Sequence, residues 1–223
     1  MKILLSLLLS CVFVMAAHSQ KPITKAEYDA VDQNAVSVTN DAFPFVFTVI
    51  TETYENGKVV STETEINERQ AEGVERETRT LTKGGKTLQS FGIMVGFGNH
   101  TYCSRDGKTW TGPQKYVCPG PEANGLLKLY RPRTPDSAEY SVTEKSVDGK
   151  PVNVYREYYV YAAKDPNGKK DFKETISTID SRGFFIEVLN TEGTLDPRVV
   201  TLTRRQSWKP NAKFAQVIAP KTP

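Results

Sequence analysis

The sequence predicts a mainly β protein, built as a single curved antiparallel sheet (a half-barrel) of about ten strands with an N-terminal helix and a proline-rich lid. Three observations support this prediction. Runs of about 8–12 β-rich residues alternate with Gly, Asn and Asp turns. One segment alone has a helical pattern, and no βαβ unit is recognisable. The hydrophobic content of 38% is too low for two full sandwich layers.

The helix is predicted just after residue 23. Thr24 and Glu27 have the spacing of a capping box, and Tyr28, Val31 and Ala35 recur at helical intervals. One apolar stripe of this helix is therefore expected to pack against the sheet.

The strands follow as a meander. Asn56-Gly57 and Asp148-Gly149 favour hairpin turns between neighbouring runs. Alternate positions within most runs are apolar, which predicts one buried sheet face.

The second and third strands have a different composition. Glu63, Glu65 and Glu68 stand opposite a run that contains Arg76 and Arg79, with many threonines and few apolar residues. This pattern predicts a solvated outer face with cross-strand ion pairs.

Other β architectures fit less well. A membrane barrel needs a continuous lipid-facing apolar band, whereas several strands here carry polar residues on both faces. A lipocalin barrel typically has Gly-x-Trp near its first strand, but the two tryptophans are Trp110 and Trp208. The curved sheet remains.

Residues 1–19 are predicted to be a cleaved signal peptide. Lys2 precedes an uncharged apolar run, and Ala17-His18-Ser19 places small residues before Gln20. A membrane anchor is the alternative, but about 15 apolar residues fall short of the ~20 that span hydrocarbon. Lipoprotein processing at Cys11 is a second alternative. Residues 20–223 are then one domain, exported and either periplasmic or extracellular.

Cys103 and Cys118 remain after cleavage. In an exported chain such a pair predicts a disulfide, whose loop of about 15 residues is worth roughly 3 kcal/mol. Two free thiols are the competing interpretation. A zinc site is less favoured, because His100 is the one histidine left and no close ligand spacing accompanies it.

The meander is interrupted over residues 113–138. Prolines punctuate this stretch, which still contains Leu126, Leu127 and Leu129. A connection this long is typical of a lid or binding loop.

Two segments carry a family resemblance. Phe91-Gly92-Ile93-Met94-Val95, a Gly turn, and the run from Thr101-Tyr102-Cys103 to Gly107-Lys108-Thr109-Trp110 resemble bacterial lipoprotein-localisation-factor-like proteins, the periplasmic half-barrel carriers. The resemblance covers about residues 24–208 in strand order. It implies a half-barrel fold, and a lipid or a lipid-modified protein as partner, with transient contact with a membrane or membrane protein.

The hollow of the predicted half-barrel is the expected binding surface, where acyl chains are buried at roughly 0.8 kcal/mol per CH₂. The predicted lining residues are Phe45, Phe47, Val49, Ile93, Val95, Tyr158, Val160, Ile176, Ile186 and Val188, with Leu126, Leu127 and Leu129 from the lid. The alternative is that these side chains only pack the core of a structural or protein-interaction module.

Catalysis and nucleic-acid binding are not expected. His100 has no nucleophile elbow or metal-ligand cluster beside it, and the pair Glu63 and Glu65 has no apolar pocket to raise a pKa. No cofactor motif is present. The net charge is +3 with both signs interspersed, so no basic stripe indicates nucleic acid.

Overall fold

The structure, a computed structural model, describes residues 20–96, 100–114, 118–122, 133–163 and 168–221. These residues form one helix and twelve strands. In chain order the elements are β1 (Lys21–Pro22), α1 (Lys25–Asn40), β2 (Phe45–Glu55), β3 (Lys58–Ala71), β4 (Val74–Lys83), β5 (Lys86–Val95), β6 (Thr101–Ser104), β7 (Thr111–Gln114), β8 (Ser137–Val147), β9 (Lys150–Tyr161), β10 (Asp171–Asp180), β11 (Phe185–Thr194) and β12 (Val199–Pro210).

Helix α1 begins at the predicted capping box. The Thr24 hydroxyl accepts from the Glu27 N–H at 3.2 Å, and the Glu27 carboxylate accepts from the Thr24 N–H at 2.7 Å. Both orphan donors are thus satisfied, which fixes the start of the helix. The helix prediction is confirmed.

The predicted hairpin turns are also present. Asn56 and Gly57 adopt φ values of 51° and 72° between β2 and β3, and Asp148 and Gly149 adopt 51° and 74° between β8 and β9. Two successive residues with positive φ match the twist of the flanking strands, which is why Asn-Gly and Asp-Gly occur here.

All twelve strands belong to one curved, unclosed antiparallel sheet. Its strand order is β1-β8-β9-β10-β11-β12-β2-β3-β4-β5-β6-β7. The pairing of β12 with β2 joins the two halves of the chain. The predicted fold class is confirmed. About ten strands were expected and twelve are present, and the two strands at the sheet edges, β1 and β7, are short. Pro22 and Pro113 lie in these edge strands, where a missing N–H is tolerated.

Strands limit the predicted lid at both ends. Residues 113 and 114 belong to β7, and β8 begins at Ser137. Leu126, Leu127 and Leu129 lie outside the described residues, as does the predicted signal peptide. Among the residues that are described, no helix is long and apolar enough to cross a membrane.

The sheet has two faces, which we name by the position of α1. The helix face carries side chains such as Tyr155, Ile179, Val188, Trp208 and Phe47, and the opposite face carries their strand neighbours. Helix α1 packs its Ala35 and Val31 against Ile179, Phe185 and Val188 on the helix face.

The C-terminal segment covers part of the opposite face. The Val217 N–H donates to Gln70 Oε1 at 2.9 Å, and Arg76 donates to the Ala215 carbonyl at 3.4 Å. Val217 is only 4% exposed. The segment after β12 therefore covers part of the opposite face, on which no helix of the described chain packs.

Candidate functional site

An apolar surface runs along the helix face from α1 towards β2. We call it the floor and define it by six residues: Phe45, Phe47, Val49, Phe185, Val188 and Trp208.

Aromatic contacts make the floor continuous. The Trp208 ring stacks on Phe185 with centroids 5.3 Å apart and packs against Phe47 at 4.9 Å. Phe45 stacks on Phe43 at 5.3 Å. Aromatic pairs at such distances add packing energy beyond the area they bury. Trp208 thus links the part of the floor under α1 to the part on β2.

Helix α1 sits on one end of the floor. Ala35 is fully buried against it, and the Thr39 hydroxyl accepts from the Phe185 N–H at 3.0 Å. At the other end of the helix the Tyr28 ring lies 5.5 Å from Tyr140. Burial raises the pKa of the Tyr28 hydroxyl, with a further contribution from the Glu157 charge. The helix is therefore held by a few contacts spaced along its length.

A charged cluster continues the helix face beyond the floor. The Arg69 guanidinium lies over the rings of Phe45 and Phe47, 5.7 and 6.0 Å from their centroids. Its Nε is 2.9 Å from a Glu75 carboxylate oxygen. This cation–π contact joins the apolar floor to the polar part of the same face.

Further along the face, ion pairs are half-buried. Arg79 Nε lies 2.7 Å from Glu77 and 3.5 Å from Glu65, and the Asn67 amide donates to Glu65 at 2.7 Å. Burial raises the pKa of Glu77 although Arg79 opposes the shift. Asn67 is 2% exposed.

The ion pairs predicted for β3 and β4 are thus present, but they lie on both faces. Arg79 pairs with Glu65 on the helix face, whereas Arg76 pairs with Glu68 on the opposite face. Their side chains are all less than one-third exposed. The expectation of one solvated outer face is therefore corrected, because strand alternation separates residues 65 and 68.

The predicted disulfide joins β6 to the segment after β7. Cys103 and Cys118 are bonded with Sγ atoms 2.05 Å apart. A Cβ added at Gly92 would lie 3.1 Å from Cys118 Sγ, so glycine lets this segment approach β5. The disulfide-linked segment therefore packs directly against the sheet.

A cavity of about 450 Å³ lies beside the disulfide, bordered by Ser104, Arg105, Asp106 and Gln114. Backbone N–H groups of Thr109 and Lys108 donate to the Asp106 carboxylate and hold its pKa well below the usual range. Arg105 donates to the Gly120 and Pro121 carbonyls at 2.8 and 2.9 Å. These contacts account for the shape of the loop without a ligand.

The opposite face carries a different cluster on β9 and β10. Tyr158 and Phe172 stack with centroids 6.1 Å apart. Arg156 lies over the Tyr158 ring at 4.6 Å and Arg198 over the Phe172 ring at 4.3 Å. Both arginines donate to Glu174, at 2.6 and 2.8 Å. Burial alone would raise the pKa of Glu174, but the two guanidiniums lower it.

The predicted lining residues do not lie on a single face. Those on the helix face are Phe45, Phe47, Val49 and Val188. Those on the opposite face are Ile93, Val95, Tyr158, Val160 and Ile176. The two groups cannot line one hollow together, because the sheet lies between them. Whether any of them contacts a ligand stays a prediction.

Ile186 has a special position. Cα pairing shifts where Thr178 faces Glu187 and Ile179 faces Phe185, so Ile186 is the extra residue of a β-bulge. The bulge brings Phe185, rather than Phe184 or Ile186, onto the helix face with Val188. Sequence alternation alone places Phe184, Ile186 and Val188 together, which is why Phe185 was not predicted.

His100 and the side chains of types that bind metal ions are the remaining candidate functional groups. His100 is exposed, and its carbonyl accepts from the Val95 N–H at 3.1 Å. Across the residues that the structure describes, no group of three or more His, Cys, Asp and Glu side chains could hold a metal ion.

No protein-family model matches the chain, and no curated protein matches it. Two solved structures align with most of it. LprF from Mycobacterium bovis is 11% identical with a TM-score of 0.42, over 90% of this chain and 98% of that one. A putative thioesterase II from Thermobifida fusca YX is 10% identical with a TM-score of 0.17, over 88% and 97% of the two chains. Neither similarity shows a shared family.

Proposed function

We propose that this chain is an exported, non-enzymatic protein that binds the acyl chain of a lipid or of a lipid-modified protein against the floor of the helix face. The observation that carries the proposal is the continuity of the floor. It extends from the helix-covered Val188 and Phe185, through Trp208, to Phe47.

The partial exposure of some floor residues supports the proposal that a ligand can enter between α1 and the floor. Trp208 and Phe47 are only half-buried, whereas Phe45 and Val49 are 1% and 4% exposed. An acyl chain entering between α1 and the floor would replace helix contacts with methylene contacts, at roughly 0.8 kcal/mol per buried CH₂. The half-buried aromatic pair is the point of entry.

The covering helix supports the same proposal. Three of its sixteen residues are buried, namely Tyr28, Ala35 and Thr39. Val36 on its outer side is 45% exposed. A helix that buries so few side chains can be displaced by a ligand at modest cost.

Export is supported by chemistry and by sequence. A disulfide such as Cys103–Cys118 forms and persists in oxidising compartments. The apolar N-terminal segment with Lys2 and Ala17-His18-Ser19 has the pattern of a secretory signal.

A filled core without a ligand is the second candidate. It is favoured by the near-complete burial of Phe45, Val49 and Ile179 in the present arrangement. In this case the chain would be an exported β-rich structural or protein-interaction module.

Fluorescence of Trp208 separates the two candidates. The chain has two tryptophans, so Trp110→Phe leaves Trp208 as the reporter. We expect a dibrominated stearate to quench Trp208 saturably, while unbrominated stearate does not. Phe47→Glu should abolish the quenching, and Ile176→Glu, a half-buried aliphatic on the opposite face, should not.

Circular dichroism checks that both glutamate variants fold, and Phe47→Ala replaces Phe47→Glu if it does not. Native mass spectrometry of the wild-type protein from an exporting host, with lipid extraction, gives an independent readout. Absence of both saturable quenching and co-purified lipid would overturn the proposal in favour of the filled core.

A further inference from the structure

Arg204 is a cation without a carboxylate partner on the helix face of the described chain. It lies on β12, where its Cα partners are Asn190 on β11 and Thr51 on β2. Its side chain is exposed. By contrast, Arg69 and Arg79 on the same face form ion pairs with Glu75 and Glu77.

The flanking side chains offer further hydrogen-bond donors. The Thr175 hydroxyl donates to Asn190 Oδ1 at 3.0 Å, which leaves the Asn190 amide nitrogen as the free donor of that side chain. The Thr51 hydroxyl lies on the other side of Arg204. A guanidinium between an amide N–H and a hydroxyl is a suitable environment for an anion.

Carboxylates on neighbouring positions do not neutralise Arg204. Glu192 lies diagonally across from it, since its Cα partner on β12 is Leu202. No ion pair joins Glu192 or any other carboxylate of the described residues to Arg204. The adjacent Arg205 points to the opposite face, with its Nε 3.5 Å from a Glu187 oxygen.

The floor begins directly beside this cation. Gln206 and Trp208 follow Arg204 on the same side of β12, and Val49 is the Cα partner of Gln206. Four residues of strand separate Arg204 from Trp208 by about 13 Å. An exposed cation thus stands at one end of the half-buried floor, with Gln206 between it and Trp208.

We propose that the ligand is a single-chain amphiphile with an anionic head group, bound at Arg204 with support from Asn190 and Thr51. Its acyl chain then follows β12 towards Trp208. This inference rests on the proposed function and specifies the chemistry of the ligand, whose head group is a carboxylate or a phosphate.

Three palmitoyl probes test the head group in the Trp110→Phe background: palmitate, lysophosphatidate and the neutral monopalmitoyl glycerol. Each competes with the dibrominated stearate for quenching of Trp208. We expect both anions to bind roughly tenfold tighter than the neutral lipid, because an ionic hydrogen bond adds to the same chain contacts.

The matched variants are Arg204→Gln and Arg205→Gln, which remove the same charge from adjacent positions on opposite faces. Arg204→Gln should weaken both anions about tenfold and leave the neutral lipid unchanged. Arg205→Gln should change none of the three, and Arg204→Lys should restore most of the preference. A stronger effect on palmitate or on lysophosphatidate identifies the carboxylate or the phosphate.

Equal affinity of the wild type for neutral and anionic probes would overturn the head-group site and leave the proposed function intact. Equal losses in the two glutamine variants would also overturn it, since a general charge effect would explain them. If no probe binds, the proposed function fails, and the head-group site with it.

Discussion

The two faces of the sheet bury their aromatic residues in different ways. On the helix face Phe45 is 1% exposed in a floor that α1 partly covers. On the opposite face Phe172 is also 1% exposed, yet it is covered by Tyr158 and by the Arg198 guanidinium. Both rings thus lie under an arginine, since Arg69 covers Phe45, but on the helix face a separate element, α1, also covers the neighbouring part of the floor.

This difference shows how one sheet can do without a second β layer. Long arginine side chains cover apolar rings while their charged ends stay near water. A glycine opposite Phe172 leaves room for its ring, because a Cβ at Gly193 would come within 2.9 Å of Phe172 Cε1. Around Phe172 the cover consists of side chains next to the ring, whereas the cover of the floor includes a helix that a ligand could displace.

The largest effect is expected from removing the two buried rings. Phe45→Ala and Phe172→Ala should each lower the free energy of unfolding by about 3–5 kcal/mol, because both leave a cavity. Denaturant unfolding of the two variants measures this directly. A loss below about 1 kcal/mol for Phe172→Ala would mean that arginine cover leaves the ring in a surface-like environment.

Ligand binding should distinguish the same two alanine variants. Since Phe45 belongs to the floor, its alanine variant should also weaken quenching of Trp208 by the dibrominated stearate. The Phe172 variant should bind normally at temperatures where it is folded. Equal binding losses would contradict the assignment of function to one face.

The second prediction concerns the part of the sheet that the disulfide-linked segment covers. Replacing both Cys103 and Cys118 by serine should cost roughly 3 kcal/mol, as expected for a loop of about 15 residues. The measurement is denaturant unfolding of this variant beside the oxidised protein. A difference below about 1 kcal/mol would show that the packing at Gly92, rather than the covalent bond, holds the segment.

Sequence patterns sufficed for the strand series, the turns, the helix and the disulfide, since each depends on local spacing. They did not show which face of the sheet each side chain lies on or which face is covered. On β9 the even positions Val152, Val154, Tyr158 and Val160 look like the core side, but the odd position Tyr155 packs near the helix. Both sides of the strand are apolar, so alternation alone cannot decide which of them is covered.

Tertiary detail accounts for the remaining differences. The bulge at Ile186 changes the face on which the preceding residues of β11 lie, and no residue type in the sequence indicates a bulge there. Arg204, Gln206 and Trp208 do alternate along the sequence and could have been grouped. What could not be predicted is that Arg204 forms no ion pair with a described carboxylate, because this depends on the pairing of β12 with β2 and β11.

The smallest effect is expected from two carboxylates of equal exposure, one on each face. Glu77 on the helix face is 13% exposed and Glu174 on the opposite face is 14% exposed. Burial raises the pKa of Glu77, which shares Arg79 with Glu65, whereas two arginines lower the pKa of Glu174. Their contributions to stability should therefore change with pH in opposite directions.

A raised folded-state pKa stabilises the protein below the ordinary glutamate pKa, and this contribution is lost as pH rises through the folded value. The destabilisation by Glu77→Gln should therefore shrink between about pH 4 and pH 7. For Glu174, with a lowered pKa, the stabilisation is fully present above the ordinary glutamate pKa of about 4.3 and is lost as pH falls through the lower folded value. The destabilisation by Glu174→Gln should therefore stay level between about pH 5 and pH 7 and shrink below about pH 4. Urea unfolding at each pH measures both slopes, with the double variant as an additivity control. Slopes of the same sign would show that burial alone, rather than the number of paired arginines, governs both carboxylates.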